Sequence, residues 1–391
     1  MRVAVVAEFY PRAADPVLGI WAHRQALAVR DAGAQVTVFV LHRLVPPAAD
    51  FTPRALRSLL RQAAVDERDG LTIHYVRYVS PPRAQAYARW GTWAAPALAR
   101  ALRRAGEFDL IHAHNAVPAG AAVLPALRPR PGRPAGPPVV VSVHGGDVLW
   151  TTSHVPGGRD AVAATLAAAR LVLANSHGIA ALAAAHGARQ TRVVRLGTDL
   201  PDLPGAPGSR ADGSPRARPL LVTVGHLVAR KRHADVIQAL SRVPDADYLV
   251  IGDGPERPRL EALAGRLGVA DRVEFAGQLP PDDALRRART AQVFVMPSTD
   301  EAFGVAYIEA MAAGIPAIAA AGEPGPAEIG PGIVLVPPHD PPALAAQLDR
   351  LLRDQPTLEA LGAAARRNIA ENFTWDLCGA RTLAAYEEAL A

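Results

Sequence analysis

Residues 291–320 read AQVFVMPSTDEAFGVAYIEAMAAGIPAIAA. An apolar run, AQVFVMPS (291–298), gives way to a polar loop. A helical stretch near 304–313 follows, stopped by Gly314 and Pro316, and a second apolar run begins at IPAIAA (315–320). Strand, helix, strand with short apolar strands is the unit of a parallel sheet covered on both faces. The same rhythm fills the second half of the chain. LLVTVG (220–225) leads into a helix near 231–241, YLVIGDG (248–254) into 256–267, and RVEFAG (272–277) into 281–290. GIVLVP (332–337) precedes helices near 341–353 and 357–372, and an amphipathic helix covers about 375–390.

Upstream, residues 200–219 (LPDLPGAPGSRADGSPRARP) have no periodicity and are dense in Pro, Gly and Ser, the signature of a linker. Before it the alternation is present again. VAVVAEF (3–9) is followed by a helix near 19–32 and QVTVFV (35–40), then DLIHAH (109–114), VVVSVHG (139–145), RLVLANS (170–176) and RVVRLG (192–197). The expected fold is α/β: two Rossmann-like domains with a ligand cleft between them and a C-terminal helix crossing back to the first. The boundaries are 1–200, a linker at 201–218, 219–373, and the helix 374–391. In such sheets ligands lie at the carboxyl ends of strands.

Composition narrows the class. The 391 residues are half apolar and one-fifth charged, which excludes a disordered or collagen-like chain. A single cysteine, Cys378, excludes a disulfide framework and a multi-cysteine zinc site. No apolar stretch approaches the ~18–20 residues of a membrane-spanning helix, and the opening MRVAVVAEFYPR reads as a buried strand rather than a secretory signal. The expected location is cytoplasmic, extending to the inner face of the cytoplasmic membrane. Residues 1–200 hold 23 Arg against 12 acidic residues, whereas residues 201–391 hold 19 basic against 25 acidic. A basic half joined to an acidic one suggests an anionic partner for the first, and chance distribution of surface charge is the alternative. Of 42 basic residues only Lys231 is lysine. A compact ammonium differs from a planar guanidinium fork, so a lone lysine marks a place where Arg will not serve, unless composition alone explains it.

Four places carry chemistry. In PSTDEAFGVAYIEAMAAGIP (297–316), Glu301 precedes the helix and Glu309 lies in its second turn. Gly304 permits close backbone approach and the helix start offers amides to an anion. Acidic groups here could accept hydrogen bonds from sugar hydroxyls or a ribose diol; a capped helix with two solvated glutamates fits the same letters. In TVGHLVARKRHADVI (223–237), Arg230, Lys231 and Arg232 cluster at a helix start, against the macrodipole, which suits a diphosphate or else a solvated basic turn. In VSVHGGDVLW (141–150), His144 ends a strand with two glycines behind it, placed to lean into a cleft or to be structural. In HAH (112–114) the two histidines share a face; a metal would need a third ligand that the sequence does not offer, which favours packing or acceptor contacts. GDGP (252–255) reads as a tight turn. Asp245 and Asp247 form a D-x-D that precedes its strand instead of ending one, so it is set aside as a metal motif.

These residues resemble a family. Residues 297–316 are similar to the E-x7-E signature of the retaining, GT-B-fold glycosyltransferases of family 4, and 223–232 to that family's lysine loop. LANSHGIAAL (173–182), RLGTDL (195–200), VIGDGPERPRL (250–260), RVEFAGQLP (272–280), AGEPGPAEI (321–329) and FTWD (373–376) fall in the family's order. The opening 9–40 is similar to its donor-side glycine loop, helix and second strand. The resemblance implies transfer of a sugar from a nucleoside diphosphate-sugar donor to an acceptor hydroxyl with retained configuration. It implies synthesis of cell-envelope or extracellular polysaccharide or glycolipid. Catalytic residues would be His144, beside the transferred sugar, Lys231, on the diphosphate, and Glu301. Donor contacts would come from Gly19, His226, Arg230, Lys231, Gly277, Glu301, Phe303, Gly304, Val305 and Glu309, the last on the ribose diol. Two departures stand out. The family's usual arginine is His226, with Arg230 as a replacement, and its first-loop Gly-Gly is Gly19-Ile20. No cofactor or metal is implied. The expected partners are the donor, a sugar or lipid-linked acceptor and an anionic membrane surface, with no nucleic acid. The alternatives are another activity on the same fold, an epimerase or phosphorylase, or a non-catalytic membrane-docking subunit. For membrane contact, TPRALRSLLRQA (52–63) sets Leu56, Leu59, Leu60 and Ala63 against Arg54, Arg57 and Arg61.

Overall fold

The structure, a computed structural model, describes residues 1–13, 15–45, 52–128, 136–201 and 217–391. Apart from its ends the expected linker, 201–218, lies outside them. The chain divides into two compact units, Met1–Leu196 with Trp375–Ala391, and Gly197–Thr374.

In the first unit the strands are β1 (Arg2–Ala7), β2 (Gln35–Arg43), β3 (Val65–Arg68), β4 (Leu71–Tyr78), β5 (Leu110–His114), β6 (Val139–Val143), β7 (Leu171–Ala174) and β8 (Thr191–Val193). They form one sheet in the order β3-β4-β2-β1-β5-β6-β7-β8. All neighbours run parallel except β3 and β4. Every residue of β5, β6 and β7 is buried, as expected of strands covered on both faces. The β3–β4 hairpin was not foreseen. Asp69 and Gly70 join it with φ of 50° and 76°, the positive pair that a tight two-residue hairpin needs. Strand RVVRLG (192–197) shrinks to Thr191–Val193, and it forms the edge of the sheet, with no further neighbour among the described residues. The helix expected at 52–63 forms as Pro53–Arg61; the side chains of Arg54 and Leu56 lie outside the described residues, and Leu60 is 58% exposed.

The C-terminal helix (Trp375–Leu390) packs on the first helix (Ile20–Asp31) of this unit. Gly379 makes the approach possible: a Cβ there would sit 2.2 Å from the Ala28 carbonyl oxygen. Gln25 donates to Thr382 (3.1 Å) and Tyr386 reaches His112 on β5 (2.7 Å).

The second unit holds β9 (Leu220–Val224), β10 (Asp247–Ile251), β11 (Val273–Gly277), β12 (Val293–Met296), β13 (Ala317–Ala320) and β14 (Ile333–Val336). The parallel order is β11-β10-β9-β12-β13-β14. Succession runs outward from β9 in one direction and from β12 in the other. The order therefore reverses between those two strands, and their diverging loops leave a crevice at the carboxyl edge. In the first unit the same reversal falls between β1 and β5. Both halves are doubly wound α/β units, as the alternation implies.

Candidate functional site

The loop after β9 and the loop after β12 meet at the reversal in the second sheet. Lys231 closes a short 3-10 turn (Ala229–Lys231), and its Nζ donates to Glu301 Oε2 at 2.6 Å. Ser298 Oγ donates to the same oxygen at 2.9 Å, and an Arg230 guanidinium nitrogen stands 3.8 Å from it. The pair is withdrawn from solvent: Lys231 is 12% and Glu301 9% exposed at the side chain. Burial alone would raise the Glu301 carboxyl, but the Lys231 charge and hydrogen bond, with Arg230 and Ser298, carry it below its ordinary value. Burial lowers the Lys231 ammonium, against the pull of Glu301. The 2.6 Å contact keeps both charged near neutrality, the direction that Glu301 reports.

The three cations do not all oppose the helix dipole, which corrects the sequence expectation. Arg232, at φ 57°, turns back to Asp235 through two bonds of 2.9 and 2.8 Å in the first turn of the helix His233–Leu240. Lys231 is neutralised by Glu301. Arg230 is half-exposed, and its carbonyl accepts the Thr299 N–H at 2.8 Å, which ties the two loops together. His226 is exposed at the end of β9.

Gly304 starts the helix Val305–Ala312 at φ 88°, where a Cβ would strike the Tyr307 ring at 2.2 Å. Phe303 is buried against Phe373, Val305 is half-buried and Glu309 is exposed. Gly277 ends β11 at φ 71° and accepts the Gly252 N–H at 2.8 Å. Sequence reasoning missed Glu323. Its carboxylate accepts the Glu301 N–H at 2.9 Å, while the Gly325 N–H donates to the Glu301 carbonyl at 3.1 Å. The GEPG turn (322–325) thus holds the loop that carries Glu301. Burial, and then the nearby Asp300 and Glu301 charges, raise the Glu323 carboxyl despite its backbone hydrogen bond.

In the first unit, Gly19 precedes the first helix at φ 64°, with its Cβ direction blocked by the Phe9 backbone at 2.2 Å. His144 follows β6 and His114 ends β5. Their rings are parallel within 2°, and His114 Nδ1 lies 3.0 Å from His144 Nε2. His112, on the same face, bonds Tyr386 Oη and Ser142 Oγ at 2.7 Å each. Burial pushes His112 down to about 3 and His144 to about 4. A second cluster was not legible: Tyr87 Oη donates to Glu8 Oε2 at 2.8 Å, and Asp147 Oδ1 accepts the Val117 N–H at 3.3 Å. Burial raises Asp147 to about 7 against its backbone bonds. The Asp147 position stood inside VSVHGGDVLW, but nothing in those letters signalled its burial. No group of three or more His, Cys, Asp or Glu among the described residues is placed to hold a metal ion. No helix among them is long and apolar enough to cross a membrane.

Known proteins resemble the chain along most of its length. A family model described as Glycosyltransferase Family 4 matches residues 18–201, and one described as Glycosyl transferases group 1 matches residues 209–368. A D-inositol 3-phosphate glycosyltransferase of Streptomyces bingchenggensis is 42% identical over 142 residues, covering 36% of this chain and 31% of that protein. The chain therefore spans under a third of that relative's length. A GDP-mannose-dependent alpha-(1-6)-phosphatidylinositol monomannoside mannosyltransferase of Mycolicibacterium smegmatis is 30% identical over 280 residues, covering 67% of this chain and 73% of that one. Among solved structures, a sucrose-phosphate synthase of Thermosynechococcus elongatus superposes with a TM-score of 0.78 at 22% identity, covering 99% of this chain and 98% of that one. That likeness is one of fold.

Proposed function

Because this chain belongs to the GT-B-fold glycosyltransferases that join a family 4 first half to a group 1 second half, we propose that it moves a sugar from a nucleoside diphosphate donor to an acceptor hydroxyl with retention of configuration. The observation that carries this reading is the Lys231–Glu301 pair at the strand reversal of the second unit. An ammonium has three N–H donors. Glu301 takes one of them at 2.6 Å, so two are left for oxygens of a diphosphate. Glu301 receives Lys231 and Ser298 on Oε2, which leaves Oε1 for a sugar hydroxyl.

The chemistry follows from those groups. As the bond from the anomeric carbon to the phosphate oxygen breaks, negative charge grows on the diphosphate. Lys231, and the amides of Val305 and Ala306 that open the helix Val305–Ala312, oppose that charge. The acceptor oxygen bonds the anomeric carbon from the same face, and its proton passes to the departing phosphate oxygen. No enzyme carboxylate needs to attack. Glu309 is proposed for the ribose diol, with Gly277, Val305, Phe303, Gly304, Arg230 and His226 in the donor contacts. Gly19 and His144 of the first unit are proposed for the phosphates and the transferred sugar. The M. smegmatis relative makes GDP-mannose the first donor to try, and the two relatives together make an inositol-bearing polyol or glycolipid the first acceptor. A role in envelope or polysaccharide synthesis, at an anionic membrane surface reached by the basic first half, belongs to the same proposal. Neither a cofactor nor a metal is called for by these residues.

A thermal-shift screen of nucleotide sugars tests the donor site. A ligand at 100 times its Kd adds about 2.7 kcal/mol of stability. The wild type should gain that increment with one nucleoside diphosphate-sugar and Glu301→Ala should lose most of it. Equal shifts in both proteins would reject the site.

A further inference from the structure

The HAH motif is not used by the proposed transfer, although one of its histidines touches a residue that is. His114 ends β5 and pairs in register with Ser142 on β6, two residues before His144. The neighbouring strand thus delivers His114 directly beside His144. Their rings lie parallel, centroids 5.2 Å apart, and share one hydrogen bond of 3.0 Å. On another side the Trp21 ring meets His144 at 64° with centroids 6.0 Å apart. His114 is itself held. The His112 ring packs against it at 4.5 Å, and His112 is anchored through Tyr386 on the C-terminal helix and Ser142 on β6.

We propose that His114 is a positioning residue for sugar transfer: it fixes the ring orientation of His144 and couples the tautomer of His144 to its own. The inference rests on the reading that His144 meets the transferred sugar. A neutral imidazole has one N–H and one lone pair. Burial, chiefly, lowers both histidines, so both are neutral near pH 7. One N–H then bridges His114 Nδ1 and His144 Nε2, and the ring that gives it decides the state of His144 Nδ1. If His114 gives it, Nδ1 carries the remaining proton of His144; if His144 gives it, Nδ1 is a lone pair. His144 Nδ1 has no protein partner among the described residues. It is the nitrogen left for a ligand, and its donor or acceptor character is coupled to the tautomer of His114, whose own Nε2 likewise has no protein partner among the described residues. The motif's letters suggested a metal, packing or acceptor contacts. The geometry gives His112 to packing and His114 to orientation.

Two variants and one spectrum test this. His114→Phe keeps a flat ring beside His144 and removes the bond. His114→Asn restores a polar atom at the Nδ1 position. The expected result is a kcat lowered about 10- to 100-fold in His114→Phe with donor KM little changed, as for a misplaced catalytic group, and recovery of most of it in His114→Asn. In the wild type, 15N correlation spectra of labelled histidine should show His114 and His144 in the same neutral tautomer, both Nδ1–H or both Nε2–H, a measurement that needs no variant to fold. A kcat unchanged in His114→Phe, no recovery in His114→Asn, or unlike tautomers in His114 and His144 in the wild type would overturn the proposal. His144→Ala separates the two layers. If it is inactive while His114→Phe is fully active, positioning by His114 is wrong and the transfer reading stands. If His144→Ala is itself fully active, the role of His144 falls, and that of His114 with it.

Discussion

Replacing Lys231 by methionine would leave Glu301 as a carboxylate almost withdrawn from water, held by Ser298 and by Arg230 at 3.8 Å. At 2.6 Å the lost attraction is about 6 kcal/mol with an effective dielectric of ~20. Much of it is offset in the wild type by the cost of burying the ammonium. Removing one member of a buried pair costs about 3–5 kcal/mol, and the residual Arg230 contact places this case near the lower figure. A unit the size of Gly197–Thr374 shifts its Tm by about 2–4 °C per kcal/mol, so Lys231→Met should melt ~6–12 °C below the wild type. Adding Glu301→Gln removes the stranded charge and should recover at least half of the loss. The deficit also depends on pH. In the wild type the Glu301 carboxyl is depressed, so its contribution is present above the unfolded carboxylate pKa of ~4.3 and lost as pH falls through the lower, folded value. In Lys231→Met burial would raise that carboxyl instead, and stability would decline as pH rises past ~4.3. Both trends widen the gap between pH 4 and 7. Calorimetry of the three proteins at both pH values decides. A Lys231→Met melting within about 1 °C of the wild type, with the double variant no better, would refute the ion pair as a stabilising element.

Other consequences are independent of that pair. The folded Asp147 carboxyl, raised to about 7, binds a proton that the unfolded chain releases near 3.8, so the wild type loses up to about 4 kcal/mol as pH rises from 4 to 7; Asp147→Asn should escape this loss and gain on the wild type in urea denaturation at pH 8 relative to pH 4. Gly379→Ala, whose Cβ would press on the Ala28 backbone, should cost about 1–3 kcal/mol by overpacking, read as a lower Tm for the first unit. Sedimentation with anionic vesicles should occur at low salt and weaken as salt rises, and no binding at low salt would remove the membrane from the proposal.

Much of the architecture was readable because strands buried on both faces leave uninterrupted apolar runs. LVLA (171–174) and AIAA (317–320) are such runs, and each became a strand. Helices bounded by clear stops were also readable, as at Pro341–Arg353. The β3–β4 hairpin escaped because LTIHYVRY (71–78) mixes polar and apolar residues on a strand one place from the edge of the sheet. Asp69-Gly70 was the missed signal. The candidate site was half legible. The solitude of Lys231 marked it, and the E-x7-E spacing marked Glu301, but nothing in the letters joins residues 70 apart. Their pairing comes from the adjacency of β9 and β12, a property of strand order. Glu8, Tyr87 and Asp147 were invisible because each becomes buried only when loops from three separate strands pack together.

The central claim is retaining transfer from a nucleoside diphosphate-sugar, and the anomeric configuration of the product reports on it most directly. The protein would be incubated with the donor identified by thermal shift and an inositol-bearing acceptor, and the one-bond C1–H1 coupling of the transferred sugar read by NMR before any anomerisation. The account predicts a glycoside with the donor's own configuration at C1, formed together with one nucleoside diphosphate per bond made. A product of inverted configuration, or a sugar phosphate formed without release of the nucleoside diphosphate, would contradict it.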